Sequence, residues 1–249
     1  MVAKKNREGE ERLNNQGVKM IIKKYKNKKN VDIYFPDYNE EVPNRQYKSF
    51  ELGTVRCKSH PEVYGKGYEG LGEYSPRKDK KAYMYWNGML RRCYDENYLK
   101  KHPSYIDCEV CEEWLNFQNF AEWFYKNYYQ VENEIMCLDK DILKKKNKTY
   151  SPYTCVFVPI SLNNLVINRQ LDRGELPLGV IKSRNKYIWQ LSMKNKRIKS
   201  NSFDNPIDAF YDYKKARESY IQETAEKYKK LIPNTLYKAL CNWEIEITD

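Results

Sequence analysis

Few side chains in this sequence have the type and spacing that catalysis or metal binding demands. Only two histidines occur, His60 beside Pro61 and His102 beside Pro103, and nothing in their spacing suggests a nucleophile–base pair. The richest chemical run is LDKDIL, residues 138–143. On one extended strand, alternation places Asp139 and Asp141 on the same face with Lys140 opposite. Two carboxylates so placed could bind a hard divalent cation such as Mg²⁺ or Mn²⁺, or could simply balance the lysines around them. The residue chemistry leaves both readings open. Cys108 and Cys111 form a C-x-x-C pair, with Cys137 and Cys155 further along. Four thiolates could hold a structural zinc. Yet Cys137 and Cys155 stand singly in apolar strand-like runs, where a buried free thiol is the expected state.

The elements that must position these residues read as an α+β protein of three modules, spanning 1–75, 76–172 and 173–249. In the first, GVKMIIKKY, VDIYF and YKSFELGTV are separated by turn-rich runs and suggest strands of a small barrel-like sheet. A glycine-rich link follows, containing G-x-G-x-x-G at Gly65, Gly67 and Gly70. A dinucleotide site needs a helix opening on the last glycine, but Tyr74, Ser75 and Pro76 come next, so a turn is expected. In the middle module Trp86, Met89, Leu90 and Cys93 share a helical face, and Trp114, Phe117, Phe120, Phe124 and Tyr128 mark a second helix over 113–128. EIMCLDKDIL and YTCVFV then read as strands around the KKKNK turn, with Ser161 capping a short helix that carries Asn163 and Asn164. After Arg173-Gly174, the runs LGVIK, KYIWQLSM and RIKSNSF predict a three-stranded sheet. Asn205 caps the helix behind it, with Pro206 at its first position, and a last short helix runs from about Pro233 to Trp243.

The 249 residues carry 45 basic and 34 acidic side chains, a net charge of +11, which favours a polyanionic partner. The surplus is clustered. Residues 1–30 hold ten Lys/Arg against three Glu, and residues 182–199 hold seven Lys/Arg with no acid. Between them Lys140, Lys144, Lys145, Lys146 and Lys148 crowd one short stretch. Interleaved tyrosine and tryptophan suit nucleic acid, with duplex DNA first and RNA left open. No apolar run reaches the length of a membrane span, and an odd count of seven cysteines fits a reducing bacterial cytoplasm.

Three segments carry a family resemblance: YWNGMLRRCY (85–94), VCEEWLNFQNFAEW (110–123) and MCLDKDILKKKNKTYSPYTCVFVP (136–159), followed by SLNN. Together they resemble the HNH endonucleases found in phage genomes, over roughly Tyr83 to Asn168. That resemblance implies a ββα site, with Asp139, Lys140 and Asp141 at the catalytic position. It makes Asp139 or Asp141 a metal ligand and Asn163 or Asn164 the helix position. The histidine that activates water in that family is missing, since none occurs after Pro103. A lysine base at 140 would need its pKa lowered by several units. Residues 179–216 resemble the Apetala-type DNA-binding domain, whose sheet enters the major groove. Its DNA-facing positions fall on Lys182, Arg184, Lys186, Trp189, Lys194, Lys196 and Arg197. The N-terminal pattern resembles an SH3-like barrel. Two functions follow: a DNA-binding HNH-like protein, with or without cleavage, and a non-enzymatic protein that acts on a host defence by protein contact.

Overall fold

In the computed structural model, which describes residues 6–167, 176–193 and 196–248, alternating apolar side chains build the first sheet. Its strands β1 (Glu11–Leu13), β2 (Lys19–Asn27), β3 (Asn30–Phe35) and β4 (Glu40–Arg45) form an antiparallel meander in that order. Val31, Ile33 and Phe35 alternate inward on β3 and meet Met20 and Ile22 of β2. Phe50, from helix α1 (Tyr47–Glu51), completes that core. The sheet stays open, so the expected barrel is corrected: β1 and β4 are its two edges. The error has a local cause. YKSFELGTV opens as a helix, because Tyr47 and Phe50 fall three apart and pack together on one side. The fourth strand comes instead from EEVPNR, where Pro43 is tolerated at an edge because no neighbour needs its missing N–H.

The chain divides into two compact units. The first comprises residues up to Lys126 together with Lys148–Ser151. Beyond the meander it holds α2 (Lys80–Tyr94), α3 (Glu96–Lys101), β5 (Glu109–Val110), α4 (Glu112–Leu115) and α5 (Phe117–Asn127). The face of α2 is the expected one: Ala82, Trp86, Met89, Leu90 and Cys93 are buried. The helix expected over 113–128 is broken at Asn116, whose neighbours Leu115 and Phe117 hydrogen-bond the backbone of Tyr68. The glycine-rich link is therefore a strap laid into that break. Gly70 serves it with φ +71° and a close approach to the Asn116 side chain that leaves no room for a Cβ.

Strand β6 (Met136–Asp139) belongs to the second unit, while β7 (Thr149–Tyr150) pairs in parallel with β5 in the first. Arg92 of α2 holds β7 in place, its Nε donating to the Tyr150 hydroxyl at 3.0 Å with the guanidinium over the ring. In the second unit β6 pairs antiparallel with β8 (Val156–Pro159), and α6 (Ile160–Val166) follows directly and packs on both. Ser161 does not cap this helix; its hydroxyl donates to Glu134 at 2.6 Å.

The same unit holds β9 (Val180–Ser183), β10 (Lys186–Met193) and β11 (Lys196–Lys199), ordered β11-β10-β9. The expected boundary at Arg173-Gly174 lies outside the described residues. Helix α7 (Pro206–Tyr228) starts as its sequence requires, with Asn205 Oδ1 accepting from the Ile207 N–H at 2.8 Å. It packs on β10 and β9 through Ala209, Phe210 and Tyr213, and α8 (Asn234–Cys241) packs against α7. Gly179, just ahead of β9, has φ +77°, and a Cβ there would enter the Tyr213 ring. Gly179→Ala should therefore cost about 2–3 kcal/mol, from φ strain and overpacking together. Urea unfolding of the full chain checks this; a loss under about 0.5 kcal/mol would mean the sheet is not seated on Tyr213 as described.

Candidate nucleic-acid interface and the strand–turn–helix site

The run LDKDIL does not continue as a strand. Its extended part ends at Asp139, because that carboxylate folds the chain over: Oδ1 accepts from the N–H groups of Asp141, at 2.9 Å, and Ile142, at 2.7 Å. Asp139 and Asp141 thus do not share a strand face, which corrects the alternation expected for them. Lys140 is the residue that turns inward. It is 7% exposed, and its Nζ meets Asp141 Oδ2 at 2.8 Å. The turn is closed by Asn147, whose side-chain amide donates to the Lys140 carbonyl at 2.8 Å.

Burial, with the charge of Asp141 second, pushes the Asp139 carboxyl up to about 6, and its two backbone donors oppose that rise. On the adjoining helix, Asn163 Oδ1 is buried without a hydrogen-bond partner among the described residues, whereas Asn164 is exposed. One orphaned amide oxygen beside a ββ turn is a polar, unsatisfied position.

One oxygen of each carboxylate is engaged within the turn. Asp139 Oδ1 is taken by two N–H groups and Asp141 Oδ2 by an ammonium. Among the described residues no group of three or more His, Cys, Asp or Glu is arranged to hold a metal ion. The four cysteines considered for zinc divide between the units: Cys108 and Cys111 in the first, Cys137 and Cys155 in the second. Cys137 donates to the Val158 carbonyl at 3.2 Å, and burial raises the Cys111 thiol.

The C-terminal sheet is organised by register. Tyr187, Trp189, Leu191 and Met193 of β10 point to one side, with their cross-strand partners Lys182, Val180, Ile198 and Lys196. That side is the helix side. Trp189 is 7% exposed, its Nε1 donates to Asp212 Oδ2 of α7 at 2.7 Å, and its ring meets Tyr213 edge-on at 6.2 Å. Trp189 is therefore a core anchor and not the DNA-facing residue expected. Alternation allowed either face; burial of the large indole against α7 chose this one.

The opposite side carries Lys186, Ile188, Gln190 and Ser192, partnered by Ser183, Ile181, Lys199 and Arg197. Lys186, Arg197 and Lys199 are exposed there, and of the three only Lys186 has an ion pair among the described residues, to Asp204 at 3.0 Å. Lys199 is absent from the positions expected to face DNA, although its spacing of two from Arg197 is the signal that finds it. Lys182 and Lys196 are exposed on the edge strands at helix-side positions, and Arg184 sits at the β9–β10 hairpin tip with φ +57°. Lys194 lies outside the described residues.

The basic stretch between β6 and β7 is largely spent within the protein. Lys145 Nζ donates to the Glu244 carbonyl at 2.8 Å and lies over the Trp243 ring, while Lys146 pairs with Glu246 at 3.1 Å. Between these acids Ile245 is buried, with its N–H on Glu218 and its carbonyl on Lys214.

No protein-family model matches the chain, and no curated protein or solved structure matches it either. The local geometry therefore has to carry the functional reading.

One consequence concerns pH. Asp139 holds its proton to about 6 when folded, against an ordinary value near 3.8, so between these values the folded state binds more protons than the unfolded. Stability from this group falls as pH rises through that window. Asp139→Asn keeps the turn-capping oxygen and removes the titration. Its unfolding free energy should then vary less between pH 4 and 6.5 than that of the unaltered chain, in urea titrations at each pH.

Proposed function

We propose that this chain is a DNA-binding protein that holds duplex DNA on the exposed face of β9–β10–β11, and that its HNH-like ββα segment does not cut. The observation that carries this reading is a three-stranded sheet anchored to α7 by Trp189 whose other face exposes Lys186, Arg197 and Lys199. No acidic residue occurs in the segment 182–199, so nothing within the strands offsets those cations. Gln190, Ser192 and Ser183 share the face and bring the hydrogen-bonding groups that base edges require. The net charge of +11 and the resemblance to the Apetala-type domain point the same way.

Cleavage finds less support. Lys140, the side chain at the position of the missing histidine, is ion-paired to Asp141, and Asp139 is occupied as a turn cap. A general base must be free to accept a proton, and Lys140 Nζ is instead held by the Asp141 carboxylate at 2.8 Å. One oxygen of each carboxylate is already engaged, Asp139 Oδ1 by the turn and Asp141 Oδ2 by Lys140, which favours a structural role for the pair.

The test is a gel shift on duplex DNA across a salt series, with plasmid nicking in Mg²⁺ or Mn²⁺ run on the same samples. Binding should weaken steeply with salt. Arg197→Ala/Lys199→Ala should lower the slope of log K against log salt by about 1.8, or about 0.9 for each lost phosphate contact. Plasmid should stay intact. An unchanged slope in the variant overturns the sheet as the contact surface. Absence of any shift would favour the protein-contact reading, which a pull-down from nuclease-treated lysate then examines.

A further inference from the structure

The basic surplus of residues 1–30 is not spread over the first unit. Ion pairs take up part of it: Arg7 binds Glu10, Lys19 binds Glu11 at 2.7 Å and Lys23 binds Glu41, while Arg12 donates to the Glu51 carbonyl. Lys26 reaches Asp32 only at 3.8 Å. Among the described residues of this stretch, Arg12, Lys24, Lys28 and Lys29 are exposed and without an ion pair, and the last three lie towards the β2–β3 hairpin end. Arg45 joins them, because the register sets it opposite Val31 on the neighbouring strand, next to the turn.

This end of the sheet is a fixed platform. Asn27 Oδ1 accepts from the Lys29 N–H at 2.8 Å, which shapes the turn, and the Lys28 carbonyl accepts from the Tyr47 N–H at 2.9 Å, which ties it to α1. Its acids are already engaged. Asp32 accepts from the Asn44 N–H at 2.9 Å, and Glu8 accepts from the Tyr25 N–H at 3.0 Å. Lys28 and Lys29 lie on the turn itself, with Lys24 on β2 and Arg45 on β4 flanking it, and exposed cations so gathered read phosphates without base specificity.

We infer that the β2–β3 hairpin end, through Lys24, Lys28, Lys29 and Arg45, is a second contact surface for the phosphate backbone of duplex DNA. The inference rests on the proposed DNA binding and extends it to the first unit.

The experiment compares two doubly substituted full-length chains that lose the same charge. Lys28→Ala/Lys29→Ala removes unpaired turn cations and keeps both backbone hydrogen bonds; Lys19→Ala/Lys23→Ala removes cations already paired to Glu11 and Glu41. In gel shifts on duplex DNA over a salt series, the first should flatten the slope by about 1.8 and weaken binding about tenfold or more, and the second should leave the slope within about 0.5 of the unaltered chain. Unchanged melting temperatures verify that both variants fold. Equal effects from the two variants would mean that only net charge matters, and would overturn the surface. So would an unchanged slope in Lys28→Ala/Lys29→Ala while Arg197→Ala/Lys199→Ala still weakens binding, a result that leaves the sheet reading intact. Failure of the unaltered chain to bind overturns both.

Discussion

The hydrogen bond from the Trp189 indole to Asp212 is the contact on which the C-terminal architecture turns. A buried indole N–H must find an acceptor, and a carboxylate on α7 supplies one at 2.7 Å. Once that bond is made, the side of β10 bearing Trp189 and Leu191 lies against the helix, and the side bearing Lys186 and Ser192 is left outward. Because the side-chain period of a strand is two, this choice assigns every cross-strand neighbour as well. Arg197 and Lys199 face outward as a consequence, and Val180 faces the helix. Tyr213 and Gly179 support the same seating, one ring packing on the indole and on a glycine that has no side chain to displace it.

Charge follows a similar logic of allocation. A net charge of +11 describes the chain, but contacts decide how much of it a partner can meet. Lys140 is buried against Asp141, and Lys145 and Lys146 are engaged by the segment 243–246. These lysines hold the protein together more than they project a field. Exposed pairs such as Lys146–Glu246 are individually weak, of order 0–1 kcal/mol, and buried Ile245 anchors that segment. Exposed cations gather, among other places, on the outer face of the C-terminal sheet and at the β2–β3 hairpin end.

At the strand–turn–helix segment the same atoms that a catalytic reading would use are spent on structure. Asp139 caps its own turn, Lys140 neutralises Asp141, and the turn is closed by Asn147. The raised Asp139 carboxyl is what burial beside another acid produces, and perturbation of this kind accompanies structural turns as well as active sites. Asn163 keeps an unsatisfied buried oxygen on the adjoining helix.

The features legible in the residues alone are local ones. The buried face of α2, the cap and first turn of α7, the three C-terminal strands and the acid-free basic run all depend on residues within a few positions of one another. Periodicity and capping act at that range, so they can be read without a fold. The tertiary structure decided what needs a second element: that Tyr47 and Phe50 meet in a helix, that Tyr68 breaks the helical run at Asn116, and that the strand stops at Asp139. It also decided that Trp189 is core and Lys199 is surface, because an alternating strand has two equivalent faces until a partner covers one.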